Sequence, residues 1–126
     1  MQFELKMPLL GFDTTKTMTL EKIDDIFMRL QSNEDAETSF TLINPFVLTE
    51  YDFVVPTATE TLLNINETAN ILIFNVVIVQ NPIENSTINF AAPIIFNTDT
   101  NTMAQVILEN NATYSIAEPI ANFLGN

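Results

Sequence analysis

Ile71-Leu72-Ile73-Phe74-Asn75-Val76-Val77-Ile78-Val79 is the stretch on which the fold turns. In an extended chain Ile71, Ile73, Val77 and Val79 share one face, while Leu72, Phe74, Val76 and Ile78 share the other. Nine residues are too few to cross a bilayer as a helix, and β-branched side chains dominate. The stretch therefore reads as a strand covered on both faces, at the centre of a closed barrel or under a helix. Asn75 stands inside it. An unsatisfied buried amide costs about 1–3 kcal/mol, so the sequence predicts hydrogen-bond partners for Asn75.

Downstream, residues 87–96 and 102–108 read as a strand pair joined by Asn97-Thr98-Asp99-Thr100-Asn101. Pro93 interrupts the first strand and implies an edge or a bulge. Phe90, Ile94, Phe96, Val106 and Leu108 are core candidates, because exposing them would leave a large apolar patch. The tail from Tyr114 is weakly patterned and admits a short helix over 116–123. Upstream, Thr57 and Glu60 have capping-box spacing, with Leu62 and Leu63 on the apolar side of a two-turn helix. Residues 51–55 alternate Tyr51, Phe53 and Val55 against Asp52 and Val54, which places Asp52 on the polar face of a strand.

Closer to the start, residues 39–44 form a strand stopped by Pro45, with Asn44 turning or capping the chain ahead of it. Residues 32–37 are polar and acidic and read as an exposed loop. Met18, Leu20, Ile23, Ile26, Phe27 and Leu30 fit either two short strands around Asp24-Asp25 or one amphipathic helix; strands are favoured. Residues 2–6 form a half-buried strand through Phe3 and Leu5, ended by Pro8 and Gly11. The expected fold is mainly β: a small antiparallel β-barrel-like single domain over residues 1–126 with one or two short helices.

Charge is distributed unevenly. The basic residues are Lys6, Lys16, Lys22 and Arg29, and none follows. From residue 30 onward eleven carboxylates have no base beside them, and the net charge is −12. Such a surface favours basic partners, repels phosphate backbones and opposes self-association, so a monomer without direct nucleic-acid contact is expected. With 47 % hydrophobic residues the chain should fold, and without cysteine it suits a reducing compartment. Nothing in it has the length and hydropathy of a membrane helix.

The chemistry of most enzymes has no side chains to work with. There is no His and no Cys, which removes tetrahedral zinc sites and His-based triads. The two glycines, Gly11 and Gly125, cannot build a phosphate loop. A carboxylate pair remains for hydrolysis, from Asp24-Asp25 or Glu34-Asp35-Ala36-Glu37, but adjacent strand residues face opposite ways. The acidic loop also lacks the spaced oxygens and central Gly of a calcium loop. No cofactor, metal or catalytic residue is expected. A small apolar ligand inside a β-barrel is the alternative from another class.

The most individual block runs through residues 80–97, Gln-Asn-Pro-Ile-Glu-Asn-Ser-Thr-Ile-Asn-Phe-Ala-Ala-Pro-Ile-Ile-Phe-Asn, followed by Ala104-Gln105-Val106-Ile107-Leu108. With Pro8-Leu9-Leu10-Gly11-Phe12, Ile43-Asn44-Pro45-Phe46 and Tyr51-x-Phe53, it resembles the FliW family of flagellar assembly factors. These marks stand in the family's order from about residue 8 to 108. Beyond Asn110 the chain departs: Tyr114 leads to Glu118-Pro119, where many relatives carry basic or aromatic residues. The resemblance implies a cytoplasmic, non-enzymatic regulator that binds the C-terminal region of newly made flagellin. It further implies that, once flagellin is exported, the free protein binds the translational repressor CsrA and relieves repression of flagellin synthesis. Partner contacts are expected at Glu84, Asn85, Ser86, Thr87 and Asn89 in the family-like block, and at Asn44 and Asp52.

Overall fold

The computed structural model describes residues 1–7, 9, 15–108 and 114–123. Among these residues nine strands form one sheet: β1 (Gln2–Leu5), β2 (Thr17–Lys22), β3 (Phe27–Ser32), β4 (Ser39–Ile43), β5 (Ile71–Ile78), β6 (Thr87–Ile88), β7 (Ile94–Asn97), β8 (Thr102–Gln105) and β9 (Glu118–Pro119). Their order is β4-β3-β2-β1-β8-β7-β5-β6-β9, and β4 also pairs with β5. That second pairing closes seven strands into a barrel and leaves β6 and β9 as a flap on its side. Among the described strands β1 and β8 pair in parallel and the others antiparallel.

Period-two alternation places the core. Phe3, Met18, Leu20, Leu30, Leu42, Phe74, Ile94, Phe96 and Met103 are buried together, with Leu5, Met28, Phe40 and Val76 packed against them. Phe96 meets Phe3 and Phe74 edge to face, with ring centroids 5.0 and 5.8 Å away.

The region from 18 to 30 is two strands, as favoured. Asp24 decides it: its Oδ1 accepts from the backbone of Ile26 and Phe27, each at 2.8 Å, and folds the chain into a turn. The acidic loop is exposed but is not idle. Glu34 accepts from Lys16 N, Thr17 N and Thr17 Oγ1 at 2.8, 3.0 and 2.6 Å, and so ties the loop to β2. These bonds hold its carboxyl down at about 2, the Thr17 hydroxyl contributing most. Asp35 does the same within the loop, and Asp99 accepts from Asn70 N and Nδ2. A chain short of cations satisfies its carboxylates with N–H and O–H groups.

Five expectations need correcting. The helix α1 (Thr57–Leu62) exists, but Pro56 is its N-cap and no side chain caps it. Thr57, one residue inside the helix, cannot close a capping box with Glu60. Of its leucines, Leu63 is buried while Leu62 stays exposed. Asn64, at φ 54°, ends the helix in the left-handed region that asparagine tolerates. Asn97 Nδ2 then fastens this end to the barrel by donating to Leu63 O at 2.7 Å.

Second, β5 is covered on both faces only in its middle: Phe74, Asn75 and Val77 are buried, whereas Leu72, Ile78 and Val79 are exposed. Leu72 and Ile78 share the face of Phe74 and Val76 but lie toward the two ends of the strand, beyond the packed centre of the barrel core. Third, residues 51–55 alternate in burial but join no ladder. Fourth, the strand read over 87–96 is split into β6 and β7, with Pro93 in the gap, and its partner ends at Gln105. Fifth, residues 116–123 hold β9 and a 3-10 turn, Ile120–Asn122, in place of one helix. Pro8 and Gly11, expected to end β1, lie outside the described residues.

Candidate binding surface

The split between β6 and β7 shapes the surface. Ile88 lies opposite Val77 and Ile94 opposite Phe74, so the outer strand advances six residues while β5 advances three. The surplus swings away from β5. Asn89 N still donates to Val76 O, but Phe90 N turns to Ser115 O at 3.0 Å. Leu108 N and Val106 N then donate to Ala91 O and Pro93 O. The barrel is thereby left open at one mouth, and the 89–91 ribbon runs across its edge.

A cavity lies on each side of this ribbon. Toward the barrel mouth is an apolar groove of about 390 Å³, with Phe40, Val76, Ala91, Ala92, Ile94 and Ile107 among its walls. Asn89 and Gln105 are its polar members. Phe90, pointing the other way, lines a cleft of about 250 Å³ with Tyr114 and Phe123, and with Glu50 and Glu118 in its walls. The barrel interior proper is filled by the packed cluster around Phe96.

Aromatic rings hold together an annex on the outside of the barrel, formed by residues 44–53, β6 with the 89–91 ribbon, and residues 114–123. Tyr51 contacts Phe46, Phe53, Phe90 and Tyr114 with centroids 6.1, 5.3, 5.3 and 4.9 Å away. Its hydroxyl donates to Phe90 O at 2.5 Å and accepts from Asn75 Nδ2 at 3.2 Å. Asn75 Nδ2 also donates to Asn89 O at 2.9 Å, so the amide inside β5 pins the ribbon. Its Oδ1 has no partner among the described residues. Burial pushes the Tyr51 hydroxyl up to about 12, which keeps it a proton donor at any ordinary pH. The Tyr114 hydroxyl brackets Asp52, accepting from its N at 3.0 Å and donating to its O at 2.8 Å. Residues 51–53 are thus held extended by side chains instead of a ladder.

The residues singled out from sequence fall on this annex and at its edge. Asn44 Oδ1 accepts from Phe46 N at 3.0 Å and caps the 3-10 turn Pro45–Val47. Asp52 and Glu84 are exposed, as is Asn85; Thr87 and Asn89 are half-buried. Asn89 Oδ1 accepts from Ala91 N at 3.1 Å, within the ribbon. Ser86 is fully buried, and its Oγ accepts from Gln80 N at 2.8 Å. Its carbonyl also accepts from Ile120 N. Its role is internal: it closes the loop that presents Glu84 and Asn85 and locks that loop to the tail.

Sequence reading missed Glu50, Tyr114, Phe123 and Glu118 as one site. The available signal was the set of aromatics, Tyr51, Phe53, Phe90, Tyr114 and Phe123, that no barrel strand accounts for. The Asp24 carboxyl, a hydrolase candidate, is spent on its turn and held low by the Phe27 and Ile26 amides. Among the described residues no three His, Cys, Asp or Glu side chains gather as metal ligands, and no helix is long and apolar enough to cross a membrane.

These features define a class: a small closed β-barrel whose concave surfaces flank a ribbon pulled out of the wall. The chain belongs to the FliW family, whose protein-family model, FliW protein, matches residues 1–120. It is similar to the flagellar assembly factor FliW of Sulfurimonas denitrificans, at 52 % identity over 124 residues and 98 % of both chains. The flagellar assembly factor FliW 2 of Wolinella succinogenes is 48 % identical over 128 residues, covering 100 % of this chain and 94 % of that one. A crystal structure of the flagellar assembly factor FliW matches with a TM-score of 0.89 at 26 % identity, over 94 % of this chain and 84 % of the other.

Proposed function

We propose that this chain is a cytoplasmic, non-enzymatic regulator of flagellar assembly that acts by exchanging protein partners. One partner is the C-terminal region of flagellin. The other is a CsrA-type translational repressor, whose hold on flagellin synthesis is relieved when the chain binds it. The chain works as a monomer without a cofactor and touches neither nucleic acid nor membrane.

The observation that carries this reading is the apolar groove of about 390 Å³ at the barrel mouth. A groove of that size and lining suits the apolar anchors of an amphipathic segment. The net charge of −12 adds long-range attraction for a basic partner and repulsion for RNA bound to it. Family membership and the names of the relatives support the flagellar setting. Asn89 supplies a polar contact in the groove wall; Asn44, Asp52, Glu84, Asn85 and Thr87 supply polar contacts on the neighbouring annex surface, and Ser86 positions Glu84 and Asn85.

Calorimetric titration with a synthetic C-terminal flagellin segment tests the reading. Saturable binding at micromolar affinity or tighter is expected, with CsrA competing for the chain. No heat at two temperatures and no shift on a sizing column would overturn it. The same groove favours a second reading, a small apolar ligand in the barrel mouth. A chain that ignores the segment but takes up an apolar dye stoichiometrically would support that instead.

A further inference from the structure

We propose that the cleft between Glu50 and Glu118 is a subsite for one arginine side chain of a partner polypeptide. This rests on the chain being a protein-binding module but not on which protein it binds, and the site is separate from the apolar groove. Three features coincide there. The floor is aromatic: Phe90 lies 5.5 Å from Phe123 and 6.3 Å from Tyr114 between centroids. The walls carry two carboxylates. The volume of about 250 Å³ suits a single long side chain rather than a peptide helix.

The parts are held in place before any partner arrives. Tyr114 is fixed through its hydroxyl to the Asp52 backbone, and Glu118 Oε1 accepts from Asn122 Nδ2 at 3.1 Å. Phe90 is buried beneath Tyr51. None of the four Lys and Arg residues lines the cleft. Both ion pairs among the described residues, Lys6–Glu4 and Lys22–Asp25, lie elsewhere. Two carboxylates with no ion-pair partner among the described residues, set beside aromatic rings, match a cation that is also flat. Guanidinium stacks on aromatic rings and bonds carboxylates through parallel N–H groups; ammonium does neither as well. A hard metal ion would want an oxygen cage, which this aromatic floor does not provide.

The probe is N-acetyl-arginine amide, titrated into the full chain while the aromatic ring signals are followed by NMR. The citrulline analogue, of nearly the same shape but neutral, is the control. Ring signals of Phe90, Tyr114 and Phe123 are expected to move with the arginine probe, and about fivefold less with citrulline at equal concentration. The double variant E50Q/E118Q is expected to lose the arginine response by about fivefold or more. Equal responses to both probes, silent rings, or an unchanged response in the variant would each overturn the proposal. The citrulline arm needs no mutation, so a folding defect cannot mask the result. A chain that answers arginine but ignores the flagellin segment keeps the subsite and loses the partner; the converse loses only the subsite.

Discussion

The barrel and the annex beside it are built from the same chain by different chemistry. The barrel is an aliphatic and phenylalanine core enclosed by strands of four to eight residues, where every inward position repeats at a spacing of two. The annex has strands of two residues, β6 and β9, and depends on rings and on side chains bonded to distant backbone. Tyr51 reaches a carbonyl 39 residues away, and Tyr114 an amide 62 residues away. A fold can thus separate the part that sets stability from the part that presents a surface. The groove lies where the two parts meet, and the cleft lies within the annex.

Substitutions can break or sharpen this contrast. The largest effect is expected from Phe96→Ala, which empties the centre of the barrel core. A loss of about 3–5 kcal/mol, read by urea unfolding, should affect the whole molecule. Tyr51→Phe leaves Phe90 O and Asn75 Nδ2 each short of a partner. It should cost about 1–3 kcal/mol, with hydrogen exchange quickened at Ile88, Phe90 and Ile120 but not at Phe74 or Ile94. If both regions quickened equally, the annex would be no separate unit. Asn44→Ala removes the cap of the 3-10 turn and should cost about 1 kcal/mol.

The smallest effect is a pH dependence in the loop between β3 and β4. The Glu34 carboxyl titrates at about 2 in the folded chain against an ordinary 4.5. Its contribution is therefore complete above 4.5 and is lost as pH falls toward about 2. The melting-temperature gap between the native chain and E34Q should be widest near neutrality and close across that interval. A gap that stayed constant would mean the three hydrogen bonds from Lys16 and Thr17 do not depend on charge.

The two regions were not equally legible in the sequence. Phe3 and Leu5, Met18 and Leu20, and Phe74 and Val76 announce their strands because alternation needs only local sequence to be seen. Pro93 marked the break between β6 and β7. The direction in which the ribbon leaves was invisible, because it depends on Ser115 and Val106, remote in sequence. Asn75 was recognised as needing partners, but not that Tyr51 and Asn89 would be those partners. Residues 51–55 show the limit most clearly. Their alternation is real, yet Tyr114, not a neighbouring strand, holds them. Of the surface residues, Ser86 looked like a contact because it is polar and in a loop, and only packing reveals it as a buried fastener.

The most direct test of the division into scaffold and binding surface is an amide NMR map of the chain titrated with the flagellin C-terminal segment. Shifts concentrated in the groove residues 40, 76, 89–94 and 105–107 and in residues 44–53, 81–88 and 114–123, with the outer faces of β1 to β3 unmoved, are the expected result. Shifts confined to β1 to β3, with the annex silent, would contradict it.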